Sequence, residues 1–413
     1  MAFNNVRRHA IPLPKGLKDA LRQPRMVRSL WTRYRERQVV TEYRARREHY
    51  ALLARERGLR YSLDGTRELV RQRLAARGYT PLRRRRGEVH TFASFPGSSW
   101  HPHLLPDLHE LGPVTYHDYQ TRGFAHREFD SRDLTAFRRL EEMSEGILPL
   151  VRAAHAARPI DWVFFYGGGH HVSPVVVRRI TEELGIPVVN MSLDDKQGWA
   201  GAMAGPWRSG AIDLTREFDL FMTSARVACD WHLVEGGRPV YLPEGFNASA
   251  YAPRDVPRDL PVSFVGAAYG FRYAVADELR RYGVPFHPYG AGWPSGYAAD
   301  VVEIFNRSVI NLGMGGIEYS EELTNVKGRD FEIPGTGGGV YLTSYNPDLA
   351  QHFTIGEEIL CYANHDEMVE LIRYYLARPD EAQAIAARGR ARSLREHRWL
   401  HRYETMLELL GIL

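Results

Sequence analysis

The chain has 413 residues, 44% of them hydrophobic, which suffices for two or three domains with substantial cores. Cys229 and Cys361 are too few for a disulfide framework and badly spaced for a metal site, and no apolar run approaches the roughly 18 residues of a membrane span. The net charge of +4 hides an asymmetry, because residues 1–87 hold 24 Lys and Arg against 7 Asp and Glu while the rest holds 30 against 43. With no signal-peptide apolar segment at the start, a soluble, reduced, cytoplasmic protein is expected.

Residues 1–87 read as a basic helical extension. Val27, Trp31 and Tyr34, then Tyr43, Tyr50 and Leu53, recur near helical spacing with arginines between them. A second helix is predicted over Thr66–Arg77, with Asp64 as N-cap and Gly78 as its stop, ahead of the run Arg83–Arg86. Such a segment can pack as an arm on the acidic remainder. It can also dock on anionic lipid at the inner face of a membrane, or on a polyanionic acceptor. Nucleic acid is the least supported partner, since the aromatics lie at core spacing and no nucleic-acid-binding motif occurs.

Over residues 88–256 strands alternate with helices. Strands are predicted at Val89–Phe95, Val114–Tyr119, Trp162–Tyr166, Pro187–Leu193, Phe218–Thr223 and Val240–Leu242. Helices are expected at Leu104–Leu111, at Leu134–Ala157, and from the N-cap Ser173 with Pro174 at its first position. The proline-rich stretch Pro243–Pro261 reads as an interdomain linker. A second series over 257–394 has strands at Val262–Gly266, Phe286–Tyr289, Ser308–Leu312 and Val340–Thr343, with a helix starting near Arg272. Residues 395–413 close the chain as a helix with Trp399, Tyr403, Met406, Leu407 and Leu410 on one face.

This alternation predicts an α/β protein with two doubly wound, Rossmann-like parallel sheets, whose ligands collect at the C-terminal ends of strands. His101, His170 and Asp194 stand at such ends in the first series, each a candidate to align or deprotonate an acceptor hydroxyl. Adjacent Asp194 and Asp195 should point to opposite faces, so no metal site is expected. In the second series Gly266 and Tyr269 lead to Arg272 at a helix N-terminus, and Gly313 ends a strand. No phosphate-binding G-x-x-x-x-G-K-[ST] loop occurs.

The densest stretch is Lys327–Tyr362. Lys327 and Arg329 precede Glu332, then Gly335, Thr336, Gly337, Gly338 and Gly339 lead into a strand. Basic side chains and glycine amides suit a diphosphate, and a held carboxylate suits ribose hydroxyls. The order R-x-F-E-x-P-G-T-G-G, an aromatic strand, Asn346-Pro347-Asp348-Leu349, Phe353, Gly356-x-Glu358-Ile359 and Tyr362 resembles the CgeB-like glycosyltransferases, and the likeness continues to His397. It runs through about the last 150 residues and is looser upstream, to about Glu88.

That resemblance implies the GT-B architecture, two Rossmann-like domains facing across a cleft, with the last helix crossing back to the first. It implies transfer of a sugar from a nucleoside-diphosphate sugar to a glycan, lipid-linked or protein acceptor, without metal and with no cofactor beyond the donor. Glu332 would hold the ribose. Lys327, Arg329 and Arg272 would balance the diphosphate, with Gly266, Tyr269, Gly313 and the residues from Gly335 to Gly338 lining it. Eight residues before Glu332, where related retaining enzymes carry a second glutamate, stands Thr324. A catalytically silent glycan-binding module, and an epimerase or phosphorylase of the same fold, are the alternatives.

Overall fold

The computed structural model describes residues 25–119 and 134–413. The start of the basic extension and part of the polar loop after the second strand lie outside the described residues. The chain opens with the long helix α1 (Arg25–Glu56) and α2 (Leu63–Ala76). Ser62, not Asp64, caps α2, its Oγ accepting from the Gly65 amide at 3.0 Å, because the helix begins at Leu63, ahead of the predicted Thr66.

The first sheet contains β1 (Thr91–Ser94), β2 (Val114–His117), β3 (Trp162–Tyr166), β4 (Val188–Ser192), β7 (Leu220–Thr223) and β8 (Pro239–Tyr241). A small hairpin of β5 (Met203–Ala204) and β6 (Trp207–Arg208) interrupts the series. The strands run parallel in the order β2-β1-β3-β4-β7-β8. They read as continuous apolar runs because helices cover both faces. Those helices are α3 (Gly97–Leu111), α4 (Leu134–Glu145), α5 (Ile147–Ala157), α6 (Pro174–Leu184), the short α7 (Asp195–Gly198) and α8 (Ala228–Val234). The single helix expected over 134–157 is broken at Gly146.

The second sheet, order β10-β9-β11-β14-β15, is also parallel. It comprises β9 (Leu260–Val265), β10 (Phe286–Tyr289), β11 (Ser308–Leu312), β14 (Val340–Ser344) and β15 (Leu360–Tyr362), with a hairpin of β12 (Gly316–Ile317) and β13 (Ser320–Thr324). Its helices are α9 (Arg272–Arg281), α10 (Val301–Arg307), α11 (Arg329–Thr336), α12 (His365–Leu376) and α13 (Pro379–Glu396). The last helix, α14 (Trp399–Leu409), returns to the first sheet. There Trp399, Tyr403, Met406 and Leu407 join Phe95, Leu104 and Trp162 in one core.

The N-terminal helices are built into the body rather than laid beside it. Val70 and Leu74 of α2 belong to the same core as α14, and Tyr50 and Ala54 of α1 pack with Trp199 and Trp231. Farther up α1, Val40 packs on Ile317 and Leu323 of the β12–β13 hairpin, so one helix spans both halves. Arginines of this region meet carboxylates of the body: Arg77 donates to the fully buried Asp219 at 2.8 Å and Arg84 to Asp161 at 2.8 Å. That is the acidic-body reading of the charge asymmetry. No helix among the described residues is long and apolar enough to cross a membrane.

Candidate active site

In a doubly wound sheet a crevice opens where neighbouring strands send their connections to opposite sides. In the first sheet that point lies between β1 and β3, followed by α3 and by Tyr166. In the second it lies between β9 and β11, followed by the Gly266–Arg272 turn and by Gly313. The two crevices face each other, since His103 Nδ1 of α3 stands 3.5 Å from Glu332 Oε1 of α11.

Helix α11 presents Glu332 from its first turn, where the exposed amides favour acidic residues. Asp330 secures the turn by accepting the Lys327 amide at 2.7 Å and the Tyr341 hydroxyl at 2.6 Å. Glu332 is buried, and Arg329 donates to its Oε2. Burial, then the charge of Arg329, pushes the His103 imidazole down to about 4. His103 is therefore neutral at pH 7, and its contact with Glu332 is not an ion pair.

Arg272, Lys327 and Arg329 line one pocket with Gly313, Gly315 and Asp330. Arg272 lies over the Tyr269 ring at 4.3 Å and donates to the Ala267 carbonyl at 2.9 Å, while its buried Nε has no partner. Lys327 Nζ donates to the Gly316 carbonyl at 3.1 Å. Neither side chain stands within ion-pair distance of a carboxylate among the described residues, and burial lowers the pKa of both. Asp194, Asp330 and Glu244 act on Lys327 from beyond ion-pair distance, and a buried cation held without a direct partner favours an anion that comes to it.

Asp194, after β4, sits in the field of Lys327, and burial raises its pKa. Asp195 is turned inward to accept Ser192 Oγ at 2.5 Å, Thr223 Oγ1 at 2.5 Å and His232 Nε2 at 3.1 Å. Glu244, in the linker after β8, lies near Asp194, Asp330 and Lys327. Burial, then the like charge of Asp194, pushes its carboxyl up to about 8 from an ordinary 4.5. The native state binds that proton more tightly than the unfolded chain, so stability is present below about pH 5 and lost as pH rises through 8. Glu244→Gln stays neutral throughout. Its melting temperature should exceed the parent's at about pH 8.5 and converge on it near pH 5. Melting curves at both values check this, and a pH-independent difference would remove the raised acid.

The structure separates the sequence candidates. Arg272, Tyr269, Lys327, Arg329, Gly313 and Glu332 are brought together, with Asp194 facing them. The cluster Gly335–Gly338 is not. It sits at the far end of α11, starting roughly 9 Å along the axis from Arg329. There Gly335 is packed on Phe246, so that a Cβ would lie 2.4 Å from its ring. Thr336 is fully buried and its hydroxyl donates to the Glu332 carbonyl. Gly337 ends the helix at φ 66°, its amide bonded to Pro334 O at 3.0 Å, and a Cβ on Gly338 would meet Phe305 O at 2.4 Å. Close packing and the positive φ of Gly337 are enough to call for these glycines. The amides of Gly266 and Gly313 are likewise spent on Tyr289 O at 2.8 Å and Leu342 O at 2.7 Å, so the positive charge for an anion comes from side chains.

His101 packs on Tyr116, with ring centroids 5.4 Å apart, and His170 lies 3.3 Å from the Ser209 carbonyl against His171. The helix carrying His101 starts at Gly97 rather than Leu104. At about 100° per residue, His101 and His103 therefore face opposite ways, and His103 is the one aimed at the cleft. Its signal was legible only with the helix start in hand. Glu244 was missed because a lone acid between Pro243 and Gly245 reads as linker. Among the described residues no three His, Cys, Asp or Glu side chains are placed to share a metal ion.

Residues 272–408 match the family described as glycosyl transferase-like. The match covers the second sheet from α9 onward and most of the last helix. No curated protein matches the sequence. Among solved structures, a glycosyltransferase from Rickettsia africae is similar at TM-score 0.52 and 10% identity, over 78% of this chain and 98% of that one. Sucrose-phosphate synthase from Thermosynechococcus elongatus is similar at 0.51 and 11%, over 78% and 98%. Anabaena Alr3699/HepE in complex with UDP-glucose is similar at 0.50 and 12%, over 79% and 100%. At such identities the likeness shows the fold, which is GT-B. The matched segment holds the cations and Glu332, and the first sheet supplies the opposite wall.

Proposed function

We propose that this protein is a metal-independent glycosyltransferase of the CgeB-like type. It would move a sugar from a nucleoside-diphosphate sugar to an acceptor held by the first domain. The carrying observation is the pair of buried cations, Arg272 and Lys327, neither in a direct ion pair, lining one pocket with Arg329 beside the buried carboxylate of Glu332. A diphosphate answers the cations and a ribose answers the carboxylate. The UDP-glucose complex of the Anabaena neighbour supports this class of donor.

In the reaction the bond from the sugar's anomeric carbon to the diphosphate oxygen breaks, and the diphosphate leaves with the electron pair. A bond to the acceptor oxygen forms as its proton passes to a base. The cations stabilise the departing charge inside a cleft. Of the three sequence candidates for the base, Asp194 is the one in the field of the cation pocket. The exposed, basic start of α1, with Leu30, Trp31 and Tyr34 outward, suits an anionic lipid surface on the cytoplasmic side of a membrane.

Binding of UDP-, GDP-, ADP- and dTDP-sugars, measured by thermal shift in excess EDTA, tests the donor reading. One donor at 100 times its dissociation constant should add about 2.7 kcal/mol of stability. No shift with any donor would overturn the reading, and a shift abolished by EDTA would overturn metal independence. A new sugar nucleotide formed without acceptor would point to an epimerase instead.

A further inference from the structure

Glu244 has no part in the diphosphate and ribose contacts assigned above, yet its backbone is held more firmly than a linker needs. The buried Arg402 donates to the Pro243 carbonyl at 3.0 Å and to the Glu244 carbonyl at 3.2 Å. Phe246 N donates to His397 O at 3.0 Å, and Trp399 N to Phe246 O at 3.2 Å. A Cβ on Gly245 would stand 2.8 Å from Trp399 N. The returning C-terminal segment thus pins the main chain on both sides, and the side chain is what extends into the cleft.

It extends to Gly328. A Cβ on Gly328 would lie 2.8 Å from Glu244 Oε2 and 3.5 Å from Glu332 Oε1. Two carboxyl groups, one from the linker and one from α11, converge on a bare Cα. Gly328 has φ −50° and ψ −40°, which any residue adopts, so it is the space that calls for glycine here. The ion pair of this cleft joins Arg329 to Glu332 and leaves Glu244 out. The nearby Gly328 amide offsets only part of the upward push on the Glu244 carboxyl. A carboxyl keeps several acceptor positions, and a gap flanked by two of them suits a group dense in hydroxyls.

We propose that Glu244 hydrogen-bonds the hydroxyl groups of the transferred sugar across the gap over Gly328, and thereby selects among donor sugars. This rests on the donor reading above. Burial and the neighbouring acids keep the group protonated near neutral pH, so it can donate to a hydroxyl as well as accept from one.

The test uses the full chain and calorimetric titration with UDP, GDP, ADP and dTDP and with their glucose, galactose and N-acetylglucosamine conjugates. For the tightest conjugate, the quantity read is its dissociation constant divided by that of its parent diphosphate. Glu244→Ala should raise this ratio at least about tenfold while the diphosphate itself stays within about threefold. Gly328→Ala, which fills the gap and leaves both carboxyls in place, should raise it as well. An unchanged ratio in Glu244→Ala overturns the proposal and leaves the donor reading standing. If Glu244→Ala fails to fold, an unchanged ratio in Gly328→Ala overturns it. If the parent binds no nucleotide at all, the donor reading fails and this proposal with it.

Discussion

Glu332→Ala should weaken nucleoside-diphosphate-sugar binding by at least about a hundredfold while inorganic pyrophosphate binds as well as before or better. A hydrogen bond to a charged acceptor is worth about 1.5–3 kcal/mol, and two ribose hydroxyls lose their partner together. At about 1.4 kcal/mol per factor of ten, two such bonds correspond to a hundredfold or more. The pyrophosphate half follows from the Arg329 contact. In the parent this guanidinium is spent on Glu332 Oε2, and the alanine variant releases it beside Arg272 and Lys327. Glu332→Gln keeps one acceptor and should lose about tenfold, an intermediate loss. Isothermal titration of donor and pyrophosphate against all three proteins separates the cases. A carboxylate serving only to anchor Arg329 would give no loss of donor affinity in either variant, the donor following pyrophosphate, and the ribose assignment would then fall.

A chain beginning at Gly87 should not unfold cooperatively, whereas one beginning at Glu36 should melt close to the parent. The first truncation removes Tyr50, Val70 and Leu74 from the cores, at roughly 1.5–3 kcal/mol each by burial. It also strips Arg77 from Asp219, which is fully buried and accepts the Val188 amide at 2.9 Å. Uncovering one partner of a buried pair costs about 3–5 kcal/mol. Together these rival the 5–15 kcal/mol that holds a whole domain folded. The second truncation removes Leu30, Trp31 and Tyr34, which are exposed. Thermal melts by circular dichroism with a hydrophobic dye decide it. A sigmoidal transition near the parent's midpoint in the Gly87 chain would show that the helices are an appendage after all.

Much of the architecture was written locally. Trp162–Tyr166, Phe286–Tyr289 and Ser308–Leu312 are strands with the predicted bounds, each a run of four or five residues closed by a glycine and too short for an ordinary helix. Ser173 before Pro174 caps its helix for the same local reason. Arg272 at a helix start and Lys327, Arg329 and Glu332 in one short motif were also legible, because a motif carries its own spacing. What spacing along the chain cannot express is which surface faces which. Only the packing of one sheet's crevice against the other brought His103 to Glu332 and set Glu244 beside Gly328. It also sent the glycines at 335–338 into the contacts with Phe246 and Phe305 instead of the cleft. The basic start of the chain is a similar case. Its charge marked it as different, but whether arginines meet water or buried acids is decided by what α2 and α14 bury together. That burial is a property of the folded core, to which residues more than three hundred positions apart contribute equally.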